Sequence, residues 1–233
     1  MPKYGSLWPT YKVQWDHMRI NDSRQHEFEA IAKRLIAAKD RYKFVEAKTG
    51  VPWYMIAVIH ERESSQNWYD SLAQGDPWDR VSVHVPRGRG PFSSWEAAAI
   101  DALRLQGFEN VIDWRLEKIL YHLEAYNGWG YSTHATPSAY LWAGTNQYHS
   151  GKYIADGVWD ESAVDTQAGT AALLSCMMKL DSSISPERET TEGYVEPPTP
   201  TPKPAPTPES YNWEDVATAA LQLVVTLFGK KNV

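Results

Sequence analysis

A mainly α domain of the α+β kind, with one small β element, is what this sequence predicts, and three observations predict it. Apolar residues recur at three- and four-residue spacing in segment after segment between residues 24 and 180. Strict alternation occurs at Val81, Val83 and Val85. The apolar fraction, 42%, is that of a globular chain, and 233 residues suffice for one domain of ordinary size plus an appendage.

The elements follow in order. Arg24–Lys48 reads as an amphipathic helix, with Phe28, Ile31, Leu35, Ala38 and Tyr42 on one stripe. Gly50-Val51-Pro52 ends it and opens the next helix, with Pro52 in the tolerated first turn. Along that second helix Val51, Ile56, Ile59 and Glu63 fall near one face, with His60 beside them and Glu61 turned away. Trp68–Phe92 has no helical period. The valine alternation and the Arg87-Gly88-Arg89-Gly90-Pro91 loop predict a small hairpin bordering a cleft. Ser93-Ser94-Trp95-Glu96 has the form of a cap before a helix over Ala97–Leu105. A helix over Asn110–Glu124 would carry Ile112, Leu116, Ile119 and Leu123 on one stripe. Asn127–Gly157, rich in glycine and aromatics, reads as ordered loop. Glu161–Leu180 reads as a buried helix of small residues, with Ser162 or Asp165 near its start.

The predicted domain ends at residue 182. Residues 183–208 form a linker whose Pro/Thr run, Glu196 to Pro208, supports neither helix nor sheet, because proline supplies no backbone donor. Such a run is a semi-rigid, extended spacer. Residues 209–233 hold a C-terminal helix candidate, Trp213–Phe228, whose apolar run Val216–Phe228 is interrupted only by the polar strip Thr218, Gln222 and Thr226. Its apolar run is shorter than the roughly 20 residues that span a bilayer. Membrane-surface binding, helped by Lys230 and Lys231, self-association, and packing back on the domain are the three readings of it.

Composition narrows the function classes. A net charge of −6 argues against nucleic acid as a partner. The single cysteine, Cys176, excludes an internal disulfide and sits in an apolar helical pattern. Eleven Trp and 13 Tyr are many for this length, and aromatics stack on sugar rings as well as filling cores. The first residues lack the apolar core of a signal peptide, so the expectation is a protein held in the cytoplasm until something else releases it.

Glu63 is the residue with chemical promise. It stands where the pattern calls for an apolar side chain, and desolvation disfavours the charged form of a carboxyl. A glycosidase general acid needs a carboxyl protonated near neutral pH. The bland alternative is an ion pair with Arg62 or Arg80. His60-Glu61-Arg62-Glu63-Ser64 invites a zinc reading, but His-Glu-x-x-His requires histidine where Ser64 stands. The other histidines show no ligand spacing, Cys176 has no evident histidine partner, and Gly88-Arg89-Gly90 lacks the context of a phosphate loop. No metal and no cofactor are expected.

The run Ile59-His60-Glu61-Arg62-Glu63-Ser64-Ser65 resembles the Arg-Glu-Ser segment of bacterial and phage lysozyme-family proteins. These endolysin-like muramidases are related in motif to goose-type lysozymes and soluble lytic transglycosylases. Further matching segments follow in order: Gly75-Asp76-Pro77, Gly88-Arg89-Gly90-Pro91-Phe92, Tyr126-Asn127-Gly128-Trp129-Gly130-Tyr131 and Tyr140-Leu141-Trp142-Ala143-Gly144. The resemblance covers roughly residues 4–180. It implies a lysozyme-like fold and cleavage of the β-1,4 bond between N-acetylmuramic acid and N-acetylglucosamine, with peptidoglycan strands as the partner.

By this resemblance Glu63 is the acid, and Asp76 is the best second carboxylate, with Asp70 and Asp79 behind it. Asp76 reads equally as an Asx-turn that caps its own backbone. In the transglycosylase relatives no second carboxylate is required. Tyr126 would then hydrogen-bond near Glu63, Asn127 would hold a substrate acetamido or hydroxyl group, and Ser64 would contact substrate or cap its helix. Trp129, Tyr131, Tyr140 and Trp142 would supply stacking subsites. An endolysin waiting in the host cytoplasm for a holin fits the missing leader. Three alternatives remain beside hydrolysis: lytic transglycosylation giving anhydro-muramic ends, a chitinase-like enzyme, and a non-catalytic glycan-binding phage protein.

Overall fold

The structure is a computed structural model, and it describes residues 2–190 apart from 74, 85 and 156. These residues belong to one compact unit. The unit is mainly helical with one small antiparallel sheet, as the periodicities predict. In chain order it contains α1 (Tyr4–His17), α2 (Gln25–Ala37), α3 (Lys39–Thr49), α4 (Trp53–Ser64), α5 (Trp95–Leu105), α6 (Leu116–Asn127), the short α7 (Ala139–Trp142), strands β1 (Lys152–Ala155) and β2 (Val158–Asp160), and α8 (Thr170–Leu180).

Helix α4 runs through the centre. Met55, Ile56, Ala57, Val58, Ile59 and His60 are all fully buried. It packs on α3, α8, α2 and α6, so it is apolar all round rather than on one stripe. Pro52 stands at its N-cap, just before the first turn. The cap before α5 forms as expected: Ser94 Oγ accepts from the Ala97 amide at 3.2 Å. Glu96 turns outward instead and pairs with Arg41 of α3 at 2.6 Å.

Several expectations are corrected. Arg24–Lys48 is two helices, because α2 packs against α8 while α3 packs against α4 and α5. The chain bends between them at Ala38, whose amide bonds Leu35 O at 3.2 Å in a tighter turn. Phe28, Leu35 and Tyr42 of the predicted stripe are buried on either side of that bend.

The helix expected from Asn110 starts only at Leu116, and Ile112 is 97% exposed. The helix expected from Glu161 starts only at Thr170, leaving Asp165 in the loop before it. The hairpin is displaced too. Val81 and Val83 lie in an exposed loop, and Val85 lies outside the described residues. Among the described residues the strand pair is β1–β2, β1 at the end of the stretch read as loop and β2 just after it, with Tyr153 opposite Trp159 and a bulge before Ala155.

Helix α1 has no counterpart among the predicted elements. Tyr4, Leu7, Tyr11 and Trp15 recur at helical spacing there, but Pro9 inside the helix masks the pattern. Tyr11 anchors α1 on α6 by donating to Glu124 Oε2 at 2.6 Å.

The folded unit also extends past residue 182, to Thr190. Leu116 N bonds Glu187 O at 2.8 Å, Arg188 pairs with the buried Glu117 at 2.7 Å and with Asp16 at 2.8 Å, and Tyr4 donates to Glu189 at 2.8 Å. The rest of the predicted linker and the C-terminal helix lie outside the described residues.

Candidate active site

Helix α4 ends at Ser64, and the chain leaves it through two consecutive left-handed residues that are not glycine, Ser65 (φ 53°) and Gln66 (φ 59°). Each such conformation costs on the order of 1–3 kcal/mol. The surroundings hold both in place. Ser65 N bonds Glu61 O at 2.8 Å and Gln66 N bonds His60 O at 3.2 Å. The Gln66 side chain accepts from Arg34 Nε at 2.7 Å and donates to Tyr42 Oη at 3.1 Å. Tyr42 lies 3.0 Å from His60 Nδ1, and His60 Nε2 lies 3.0 Å from Asn67 O. Burial lowers the His60 pKa to about 4, so the ring is neutral at pH 7. A neutral ring donating from Nε2 to a carbonyl leaves Nδ1 to accept from Tyr42.

Glu63 sits one residue before this fixed turn. Glu63 is exposed at the surface as a residue, while enough protein surrounds its carboxyl to desolvate it. That burial raises the Glu63 pKa above its ordinary value, against a hydrogen bond from Tyr140 and the positive charge of Arg62. Tyr140 Oη donates to Glu63 Oε1 at 2.8 Å.

Neither ion pair suggested by the sequence forms. Arg62 is buried and pairs with Asp165 at 2.6 Å, and Arg80 pairs with Asp79. Among the described residues no cation pairs with Glu63. Glu61 points to α2 and pairs with Arg34 at 2.6 Å.

The other expected site residues take different places. Tyr126 is near Glu63, whose charge adds to burial in pushing its hydroxyl pKa well up. Its hydrogen bond, however, goes to Leu72 O at 2.8 Å, so Tyr140 makes the contact expected of Tyr126. Ser64 Oγ donates back to His60 O at 3.1 Å, the capping role. Trp142 is 1% exposed and belongs to the core, because α7 is packed on α6 and α8. Tyr131 is buried against Tyr153 and Trp159, and Trp129 packs on Tyr121 with ring centres 4.9 Å apart.

Asp76 is buried and tied to its own loop. Oδ2 accepts from the amides of Val83 at 2.8 Å and His84 at 3.0 Å, and Oδ1 meets His84 Nδ1 at 2.7 Å. These bonds hold its pKa below the ordinary aspartate value. Both oxygens are thus engaged within residues 76–84.

A cavity of about 550 Å³ adjoins Arg62 near the C-terminal end of α4. Asn127, Tyr131, Lys152, Tyr153, Asp165 and Gln167 are among its walls. Gln167 donates to Arg62 O at 3.1 Å, so the cavity wall and the Glu63 turn share a backbone contact. Of the expected substrate contacts, this cavity brings Asn127 and Tyr131 together. Tyr140 as Glu63's partner, and Asp165 and Gln167, escape sequence reasoning because they meet α4 across long separations with no periodic signal, and Lys152 and Tyr153 join the cavity from β1.

Comparison with family models, with curated protein sequences and with solved structures yields no match. The chemical reading therefore rests on the residues themselves. Among the described residues no group of three or more His, Cys, Asp or Glu side chains is arranged to hold a metal ion.

Proposed function

We propose that this chain is a peptidoglycan-cleaving glycosidase of the endolysin kind, with Glu63 as general acid. The observation that carries the reading is the state of Glu63: a carboxyl with a raised pKa, unpaired with any cation among the described residues and oriented by Tyr140. The motif resemblance from the Arg62-Glu63-Ser64 run to Tyr126-Asn127 supports a glycan substrate.

In this scheme the protonated Glu63 gives its proton to the glycosidic oxygen as the C1–O bond breaks. The bonding pair leaves with that oxygen, and positive charge develops at C1 and the ring oxygen. In hydrolysis, water or the substrate's own acetamido oxygen then attacks C1. The carboxylate left on Glu63 next accepts the proton released when water adds.

A second reading, lytic transglycosylation, is favoured by Asp76. A carboxylate anchored to Val83 and His84 is a loop brace, which leaves Glu63 as the acting carboxyl. The sugar's own 6-hydroxyl would then attack C1, its proton passing to Glu63, and the product would be a 1,6-anhydro end.

Mass spectrometry of products from purified peptidoglycan tests both readings. Wild type should release muramic ends and Glu63→Gln should lose 10²–10⁴-fold, the usual worth of general acid catalysis. Reducing ends mean hydrolysis and anhydro ends mean transglycosylation. No released sugar from wild type, or more than about a tenth of the activity kept in Glu63→Gln, refutes the assignment.

A further inference from the structure

The loop from Arg80 to Phe92 is tightly hydrogen-bonded, yet it turns apolar side chains to water. Ser82, buried, is its hub. Ser82 N bonds Arg89 O at 2.8 Å, and Ser82 O accepts from the Gly88 amide at 3.1 Å. Ser82 Oγ donates to Pro86 O at 2.9 Å and accepts from the Arg89 amide at 3.0 Å. Gly88, at φ 79°, lets the chain return on itself. Asp76 accepts from the next two amides, those of Val83 and His84.

With Ser82 turned inward, its two neighbours turn outward: Val81 is 51% exposed and Val83 67%. These valines cannot fold inward without breaking the bonds at Ser82 and Asp76. The charge around them is one-sided. Between residues 80 and 92 the sequence has three arginines and no carboxylate, in a chain of net charge −6. Asp101 engages Arg89 and Asp79 engages Arg80, whereas Arg87 is exposed and pairs with no carboxylate among the described residues. Tyr69, also exposed, borders the loop, its hydroxyl 2.8 Å from Asp79 Oδ2 and 3.1 Å from Arg80 Nη2.

We propose that residues 80–92 form a docking surface for an anionic lipid bilayer, with Val81 and Val83 entering the headgroup boundary and Arg87 pairing with lipid phosphate. Charge complementarity sets the sign of the partner, since an arginine near such a surface strengthens binding about five-fold. The valines select a bilayer over a soluble polyanion, which offers them no apolar medium. Tyr69 supplies the amphipathic ring that suits the boundary between water and lipid. The fixed frame means that little ordering entropy is lost on contact. The inference does not rest on the glycosidase reading. It is also separate from the C-terminal segment, because every residue it uses lies in the folded unit.

The test is flotation of the full chain with lipid vesicles. Vesicles of phosphatidylglycerol and phosphatidylcholine in equal parts should carry wild type, and vesicles of phosphatidylcholine alone should not. Added salt should weaken the binding. Arg87→Gln should weaken it about five-fold, and Val81→Ser combined with Val83→Ser about ten-fold. All three side chains are exposed, so these variants should melt with wild type. No binding of wild type to the anionic vesicles overturns the proposal. Equal binding by wild type and both variants also overturns it, and moves the membrane contact to another part of the chain. Poly(glycerol phosphate) free in solution is the second probe. If Arg87→Gln weakens binding to polymer and vesicles alike while the valine variant matches wild type on both, the loop reads a polyanion and the lipid assignment fails.

Discussion

Tyr140, fully buried on the four-residue helix α7, donates its hydroxyl to Oε1 of Glu63, 77 positions earlier, at 2.8 Å. The bond stabilises the ionised carboxylate and so works against the burial that raises the Glu63 pKa. Burial is the larger effect, and Tyr140 moderates it while fixing which way the carboxyl points.

Tyr140→Phe should therefore raise the Glu63 pKa further. A general acid works in its protonated form, so activity is lost as pH rises through that pKa. The alkaline limb of the wall-cleavage profile should move upward in Tyr140→Phe, with the maximal rate reduced by a few-fold as orientation loosens. A downward shift of the limb would show that the hydroxyl does something else. The measurement is initial rate on purified walls from pH 4 to 9.

Glu63→Gln should stabilise the folded chain at neutral pH. A raised folded pKa favours folding below the ordinary value of 4.5, and that contribution is lost as pH climbs through the folded pKa. Glutamine is neutral throughout. Wild type and variant should melt together near pH 4 and diverge above it, with the variant higher by up to a few degrees. Calorimetry at pH 4 and pH 7.5 reads the difference, and an equal gap at both pH values would refute the linkage.

Asp76→Asn should damage a loop before it damages chemistry. Asparagine keeps one carbonyl acceptor where the carboxylate bonds two amides and an imidazole. Hydrogen exchange at the Val83 and His84 amides should accelerate, and residues 76–92 should become easier to cleave with protease. Activity should fall by less than about ten-fold, against the far larger loss in Glu63→Gln. An equal loss in both would restore Asp76 as a second catalytic carboxylate. The aspartate's depressed pKa places the loop's acid sensitivity below 3.8, where protonation begins to remove its charge.

Arg62→Met should be the most destabilising single change at this end of α4. It leaves Asp165, 4% exposed, without its main partner. Breaking a buried pair from one side typically costs about 3–5 kcal/mol. Arg62→Met with Asp165→Asn should recover much of that loss, because no uncompensated charge then remains. Urea unfolding of the two single variants and the double variant measures the coupling.

The helices were legible wherever burial on one face or all round left a long apolar pattern. The segment from Trp53 to Ser64 and the Ser94 cap are examples. Boundaries failed where tertiary packing overrode period. Ile112 continues the stripe of α6 on paper, yet the chain is not helical there and the side chain faces water. Alternation of valines marked a strand at residues 81–85, but the Asp76 carboxylate binds that backbone in place of a neighbouring strand.

Of the candidate site, Glu63 could be read from a polar residue breaking an apolar face. Its partner Tyr140 could not, since nothing local distinguishes a tyrosine that fills the core from one whose hydroxyl meets a carboxylate. The Arg62–Asp165 pair spans 103 positions and has no sequence signature either.

The clasp between Tyr4 and Glu189, reinforced by Arg115 against the same glutamate, brings the first helical turn and the last residues of the folded unit together. Topologically the unit is almost a closed ring. Such a body can be spliced into a loop of another chain, or cut at a surface turn and rejoined across its old ends, with little change in the path of its backbone. Tension applied between those ends would load the clasp and leave α4 and the glutamate at its tip unstrained until the clasp gave way.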